Sequence, residues 1–171
     1  MHRRTLPLVK SALAALAVVA AGMTLAAPAS ASPAGHTAYL QGTVTSGVAR
    51  PASAAAPALA WKSWTFNDIH SGDCTMFGGA TWTFYSDGTA SFDGTVTSSD
   101  NGDVWLMWVY LADANNAQIG QVANANPNTP DPNEFAEGLP DHNLQYRWLA
   151  SGRFPANWFN VIQNMWIKVH C

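Results

Sequence analysis

Gly79-Ala80-Thr81-Trp82-Thr83-Phe84-Tyr85-Ser86-Asp87-Gly88-Thr89-Ala90-Ser91-Phe92-Asp93-Gly94-Thr95-Val96 decides the fold class of this chain. Ala80, Trp82 and Phe84 recur at every second position, which places them on one face of an extended strand. Asp87-Gly88 accepts the positive φ angles of a tight hairpin turn. On the return, Ala90, Phe92, Gly94 and Val96 fall on one face and Ser91, Asp93, Thr95 and Thr97 on the other. The pattern predicts an antiparallel hairpin with one apolar face.

Outward from this hairpin, turn and strand signals alternate. Ser98-Ser99-Asp100-Asn101-Gly102 reads as the next turn. Val104-Trp105-Leu106-Met107-Trp108-Val109-Tyr110-Leu111 follows, apolar on both faces and bounded by turn residues, which suits a strand covered on both sides better than a helix. Further strands are expected at Trp61–Asp68, Gln118–Ala123, His142–Ala150, Trp158–Ile162 and Met165–His170. Roughly seven or eight short strands without a convincing helical stretch predict an all-β domain, either a small antiparallel barrel or a two-sheet sandwich. The barrel is preferred, because closure removes exposed strand edges. Ala125 to Asp141 carries Pro127, Pro130, Pro132 and Pro140 and is expected to be a long loop.

The aromatic residues mark where this domain begins. All eight Trp, all seven Phe and three of the four Tyr lie in 61–171. Residues 32–60 are mostly Ala, Ser, Pro, Gly, Thr and Val with one charge, Arg50, so apart from a modest patch from Tyr39-Leu40 to Val44, which could form a loosely attached strand, they have little to bury against the entropy of ordering. They are expected to form a disordered spacer. Before them, Arg3, Arg4 and Lys10 precede an apolar run from Ala12 to Ala27 and the small-residue exit Ala29-Ser30-Ala31. These are the parts of a secretory signal peptide over 1–31, cut after Ala31. The run is too Ala-rich and too short for the roughly 20 strongly apolar residues of a membrane span. The Arg3-Arg4 pair also has the form of a twin-arginine signal. The chain is therefore expected to be secreted and extracellular, without membrane attachment after cleavage.

Cys74 and Cys171 are the only cysteines, and in an exported chain two cysteines most simply form one disulfide. The bridge would staple the last strand, whose Met165, Ile167 and Val169 share a face with Cys171.

Charge narrows the partner. Residues 61–171 hold four basic residues, Lys62, Arg147, Arg153 and Lys168, against eleven acidic ones, a formal −7. A phosphate backbone needs a Lys/Arg stripe, so nucleic acid is not expected. Motifs for a serine nucleophile, a zinc protease, a Cys-x-x-Cys pair and a phosphate-cradling glycine loop are all missing from the sequence. His70, His142 and His170 lie on separate elements without a second ligand at helical spacing. His70-Ser71-Gly72-Asp73-Cys74 is a turn, since proximity in sequence does not orient a triad. No catalytic residue, metal or cofactor is expected.

Two features remain as candidates for function. Asp131, Glu134, Glu137 and Asp141 cluster in the proline-rich segment, where a hydrolase or an enzyme inhibitor would draw its acids. The tryptophans exceed what a small core needs, and aromatic side chains give large, stiff contact area with a polar handle. Trp105, Tyr146 and Trp148 are the expected contacts for a small molecule, a glycan or a protein, with Arg147 a polar anchor on the opposite face. A non-enzymatic binding domain is the leading expectation, and a structural envelope protein a third.

The stretch from Gly78 to Val96 resembles part of an uncharacterised family of small exported actinobacterial proteins, a resemblance that implies no activity. More remotely, Trp82, the Asp87-Gly88 hairpin and Gly94-Thr95 are similar to the opening of avidin- and lipocalin-type barrels. That likeness implies a barrel with a ligand inside, although Gly79-Ala80-Thr81-Trp82 departs from the Gly-x-Trp spacing of those families.

Overall fold

The structure, a computed structural model, describes residues 36–39, 45–49 and 59–171, all within one compact unit, Ala31–Cys171. The expected signal peptide and most of the expected spacer lie outside the described residues. Among the described residues there are thirteen strands, one single-turn 3-10 helix and no α-helix. The strands are β1 (His36–Tyr39), β2 (Thr45–Ala49), β3 (Leu59–Thr65), β4 (Ile69–Ser71), β5 (Cys74–Met76), β6 (Thr81–Tyr85) and β7 (Thr89–Ser98), then β8 (Asp103–Ala112), β9 (Gln118–Gln121), β10 (Ala123–Asn124), β11 (Glu134–Leu139), β12 (Tyr146–Arg153) and β13 (Asn164–His170). Two of them, β1 and β2, fall inside the stretch read as a spacer. They pair with β13 and β3 respectively.

The hairpin that opened the sequence reading is β6–β7, with Trp82 opposite Phe92 and Phe84 opposite Ala90. Its turn needs Gly88. The residue has φ 88°, and a Cβ there would stand 2.5 Å from the Phe154 carbonyl oxygen. The Asp87 carboxylate accepts from the Thr89 amide and hydroxyl, at 2.9 and 2.7 Å, and these bonds hold it below the ordinary carboxylate range.

Backbone pairing builds two antiparallel sheets. The first runs β1-β13-β8-β11, with β9 also on β8; the second runs β10-β12-β7-β6-β3-β2, with β5 on β7 and β4 on β5. The expected closed barrel is thus replaced by two sheets, and the reason is visible where they meet. Among the described residues β11 is laddered only to β8, and β12 only to β7 and β10. Side chains rather than a continuous ladder close that side, where Phe135 of β11 stands edge-on to Trp82 at 5.1 Å.

One core lies between the inner faces. Trp64, Trp82, Phe84 and Phe92 from the second sheet meet Trp105, Met107, Leu111, Phe135, Ile167 and Val169 from the first. Burial on β8 alternates, with Trp105, Met107, Val109 and Leu111 inside and Leu106, Trp108 and Tyr110 partly exposed outside. The apolar outer face is covered by neighbours on β13. Tyr110 and Trp166 stack with ring centroids 5.4 Å apart, and Lys168 stands 4.9 Å above the Trp108 ring. Such cross-strand pairs are the local means by which an aromatic sheet face shields itself.

Cys74 and Cys171 form the expected disulfide, with Cα atoms 5.9 Å apart, and tie β5 of one sheet to the residue after β13 of the other. Three local expectations are corrected. The segment 125–141 is not loop throughout, because the proline-free run between Pro132 and Pro140 supplies β11. The strand expected at 142–150 begins only at Tyr146, since Asp141 turns the chain by accepting the Asn143 amide at 2.9 Å. The strand expected at Trp158–Ile162 is a 3-10 turn over Ala156–Trp158 and a further turn, because Pro155 opens it and Phe159, Val161 and Ile162 bond back locally.

Candidate ligand cleft

A cleft of about 210 Å³ opens where β11 and β12 face each other without a ladder. Alternation on β11 turns Phe135, Glu137 and Leu139 inward and Glu134, Ala136 and Gly138 outward, in line with the full burial of Phe135 and Leu139. Trp148 faces inward from β12, edge-on to Phe92 at 5.1 Å. Phe135 and Trp148 therefore form an apolar floor, and Asn124, Asn126, Asn128, Glu137 and Ser151 supply the polar part of the lining.

Glu137 is the one titratable side chain among the lining residues. It has no hydrogen-bond or ion-pair partner among the described residues, and burial pushes its carboxyl above the ordinary range. Directly across the strand pair stands Trp105, so both side chains leave the same face of the sheet. The Trp105 indole N–H is buried and unpartnered, an uncommon condition for a buried donor. Asn124 is committed to the backbone, accepting the Asn126 amide and donating to the Glu134 carbonyl, each at 2.9 Å. Asn126 and Asn128 are exposed, and their side-chain amides remain available.

The residues singled out from the sequence are partly brought together. Trp148 lines the cleft, whereas Trp105 is not part of the lining but stands wholly buried across the strand pair from Glu137. Tyr146 is elsewhere: its hydroxyl accepts the Asp141 amide and donates to the Asp141 carbonyl, at 2.9 and 3.1 Å. Arg147 forms an exposed ion pair with Asp93 at 2.7 Å, which lowers the Asp93 pKa through hydrogen bonding. The acids of the proline-rich segment disperse. Asp131 accepts the Asn133 amide and the Trp108 indole N–H, each at 2.9 Å, and these bonds lower its pKa. Glu134 points outward, and Asp141 turns the chain. The sequence reading missed Phe135 and the three asparagines. The every-second-residue repeat of Asn124, Asn126 and Asn128 was the available signal.

Among the described residues one group could share a metal ion: Cys74, Asp103 and Cys171. Its sulfurs are bonded to each other. Asp103 also accepts a hydrogen bond from the Ser98 hydroxyl. No helix among the described residues is long and apolar enough to cross a membrane.

Fold and cleft together define an all-β domain of two antiparallel sheets, stapled by one disulfide and open on one side. The chain belongs to a family of unknown function, DUF6294, whose model matches residues 81–171. The match takes in every residue lining the cleft and stops short of Cys74. No curated protein and no solved structure matches the chain.

Proposed function

We propose that this chain is an exported binding domain that takes a small hydrogen-bonding ligand, such as a single sugar ring or the end of a glycan, into the cleft between β11 and β12. The observation that carries this reading is the unpartnered, partly desolvated carboxyl of Glu137 beside two uncommitted asparagine amides and above an aromatic floor. Binding sites combine apolar walls with a few polar groups that fix orientation, and aromatic rings suit the C–H faces of sugars while amides and a carboxylate pair with hydroxyls. At about 210 Å³ the cleft is smaller than the ~300–1,000 Å³ of drug-sized pockets, which favours one ring or one chain end.

The same lining argues against hydrolysis. A glycosidase places two carboxyls across the scissile bond, and this cleft supplies one. Export is supported by the charged, apolar and small-residue order of 1–31 and by a disulfide of the kind kept in oxidising compartments.

Titration of the purified full chain with neutral, N-acetylated and amino sugars, followed by calorimetry and tryptophan fluorescence, tests the proposal. At least one class is expected to bind saturably. Asn126→Ala should weaken that binding about tenfold, the ~1–1.5 kcal/mol of one hydrogen bond, with the melting temperature unchanged. Absence of saturable binding by every class, or binding indifferent to Asn126→Ala and Glu137→Gln together, would overturn it.

A further inference from the structure

Deepening that reading, and resting on it, we infer that the ligand's defining group is a primary ammonium seated against Glu137 in the β11–β12 cleft. Trp105 stands across from Glu137 in the strand pair, Trp148 and Ala150 face it from β12, and Asn126 and Asn128 border the opening. None of these carries a positive charge. A carboxylate drawn partly out of water and left without a counter-ion is unfavourable unless something supplies one. Elsewhere in the fold Asp93 is committed to Arg147 and Asp87 to Thr89. Glu137 is the one left unused at the mouth of a cleft.

Shape and field agree with a cation. An ammonium has three donors and no acceptor. The carboxylate and the side-chain oxygens of Asn126 and Asn128 are acceptors that could share them. The formal −7 of residues 61–171 draws cations toward the surface and repels anions. Burial also keeps Glu137 protonated to a higher pH than usual, so an ammonium must displace that proton, and binding should weaken as the pH falls.

Two ligand sources share this chemistry, an amino sugar and a flexible polyamine, and the test separates them. The purified full chain is titrated calorimetrically with a glucosamine dimer, its N-acetylated counterpart and spermidine, at low and high ionic strength. The glucosamine dimer is expected to bind at least tenfold more tightly than the N-acetylated dimer. Its affinity should fall with added salt, and Glu137→Gln should abolish the preference over the N-acetylated dimer. Spermidine binding as tightly as the glucosamine dimer, with the same loss in Glu137→Gln, supports the ammonium and identifies a polyamine as its source. Equal or tighter binding of the N-acetylated dimer overturns the ammonium while the cleft reading stands. If no probe binds, the ammonium fails, and the cleft reading fails with it only when the neutral sugars do not bind either.

Discussion

Lys62 and Glu137 are charged side chains on inner-face positions of opposite sheets, and the fold treats them differently. Lys62 stands opposite Phe84 on β3, an inner-face position. Its ammonium donates to the carbonyls of Phe159 and Ile162 at 2.9 and 2.7 Å and lies 5.1 Å from the centre of the Phe159 ring. Burial lowers its pKa as burial raises that of Glu137, the same desolvation acting on opposite charges. At Lys62 the turns after β12 offer backbone oxygens that offset the penalty. At Glu137 nothing in the fold does. A charged group left unsatisfied beside a well-ordered core marks where stability has been spent on something else.

The strongest way to break this contrast is to show that the Glu137 side is merely loose. Phe135 argues otherwise. It is fully buried, meets Trp82 edge-on, and is the side-chain link between sheets that share no ladder there. Phe135→Ala is expected to lower the free energy of unfolding by about 3–5 kcal/mol, measured by urea denaturation. A loss below about 1 kcal/mol would mean that the side collapses readily and that the cleft is not a formed site. A smaller effect probes the other side. Lys62→Met keeps the stem but removes two charge-assisted hydrogen bonds, and a loss of about 1–3 kcal/mol is expected. An unchanged stability would show that the two carbonyls are equally well served by water, and the two sides would no longer differ.

How much of this was legible depends on the range of the interaction. The β6–β7 hairpin and the strands β8 and β13 were readable, because alternation and the Asp87-Gly88 turn act between near neighbours in sequence. The disulfide was readable because two cysteines leave little choice. Whether the sheet closes depends on β11 meeting β12, and nothing local states that these strands pair elsewhere. β11 itself was hidden by proline, although Phe135 and Leu139 sit four apart on one face within the proline-free run. Trp158–Ile162 misled because its apolar residues enter the core from turns, with Phe159 and Ile162 buried. At the site, Trp148 and Glu137 stood out for unrelated reasons, one aromatic and one acidic. Their meeting across two sheets was beyond any sequence pattern. Trp105 lay on a strand apolar on both faces, and no local signal says which of those faces turns inward.

The smallest effect is the most discriminating. Glu137→Gln keeps the shape and the acceptor but removes the charge. In the folded state the carboxyl's pKa is raised by burial, so the protonated form is favoured relative to the unfolded chain. The sign follows by linkage. Glu137 contributes fully to stability below its unfolded value, and that contribution is lost as pH rises through the higher folded value. As the pH rises the wild type takes on a carboxylate charge that the fold does not satisfy. Because the group is only partly buried, solvent screens much of the penalty. The variant is expected to be as stable as the wild type or more stable by up to about 0.5 kcal/mol at neutral pH, with the difference vanishing below the ordinary carboxylate range. Paired urea titrations at the two pH values measure it. If the variant instead loses about 1 kcal/mol or more at neutral pH, the charge is holding part of the fold together. Glu137 would then be the counterpart of Lys62 rather than its contrast, and its carboxylate would not be free for a ligand.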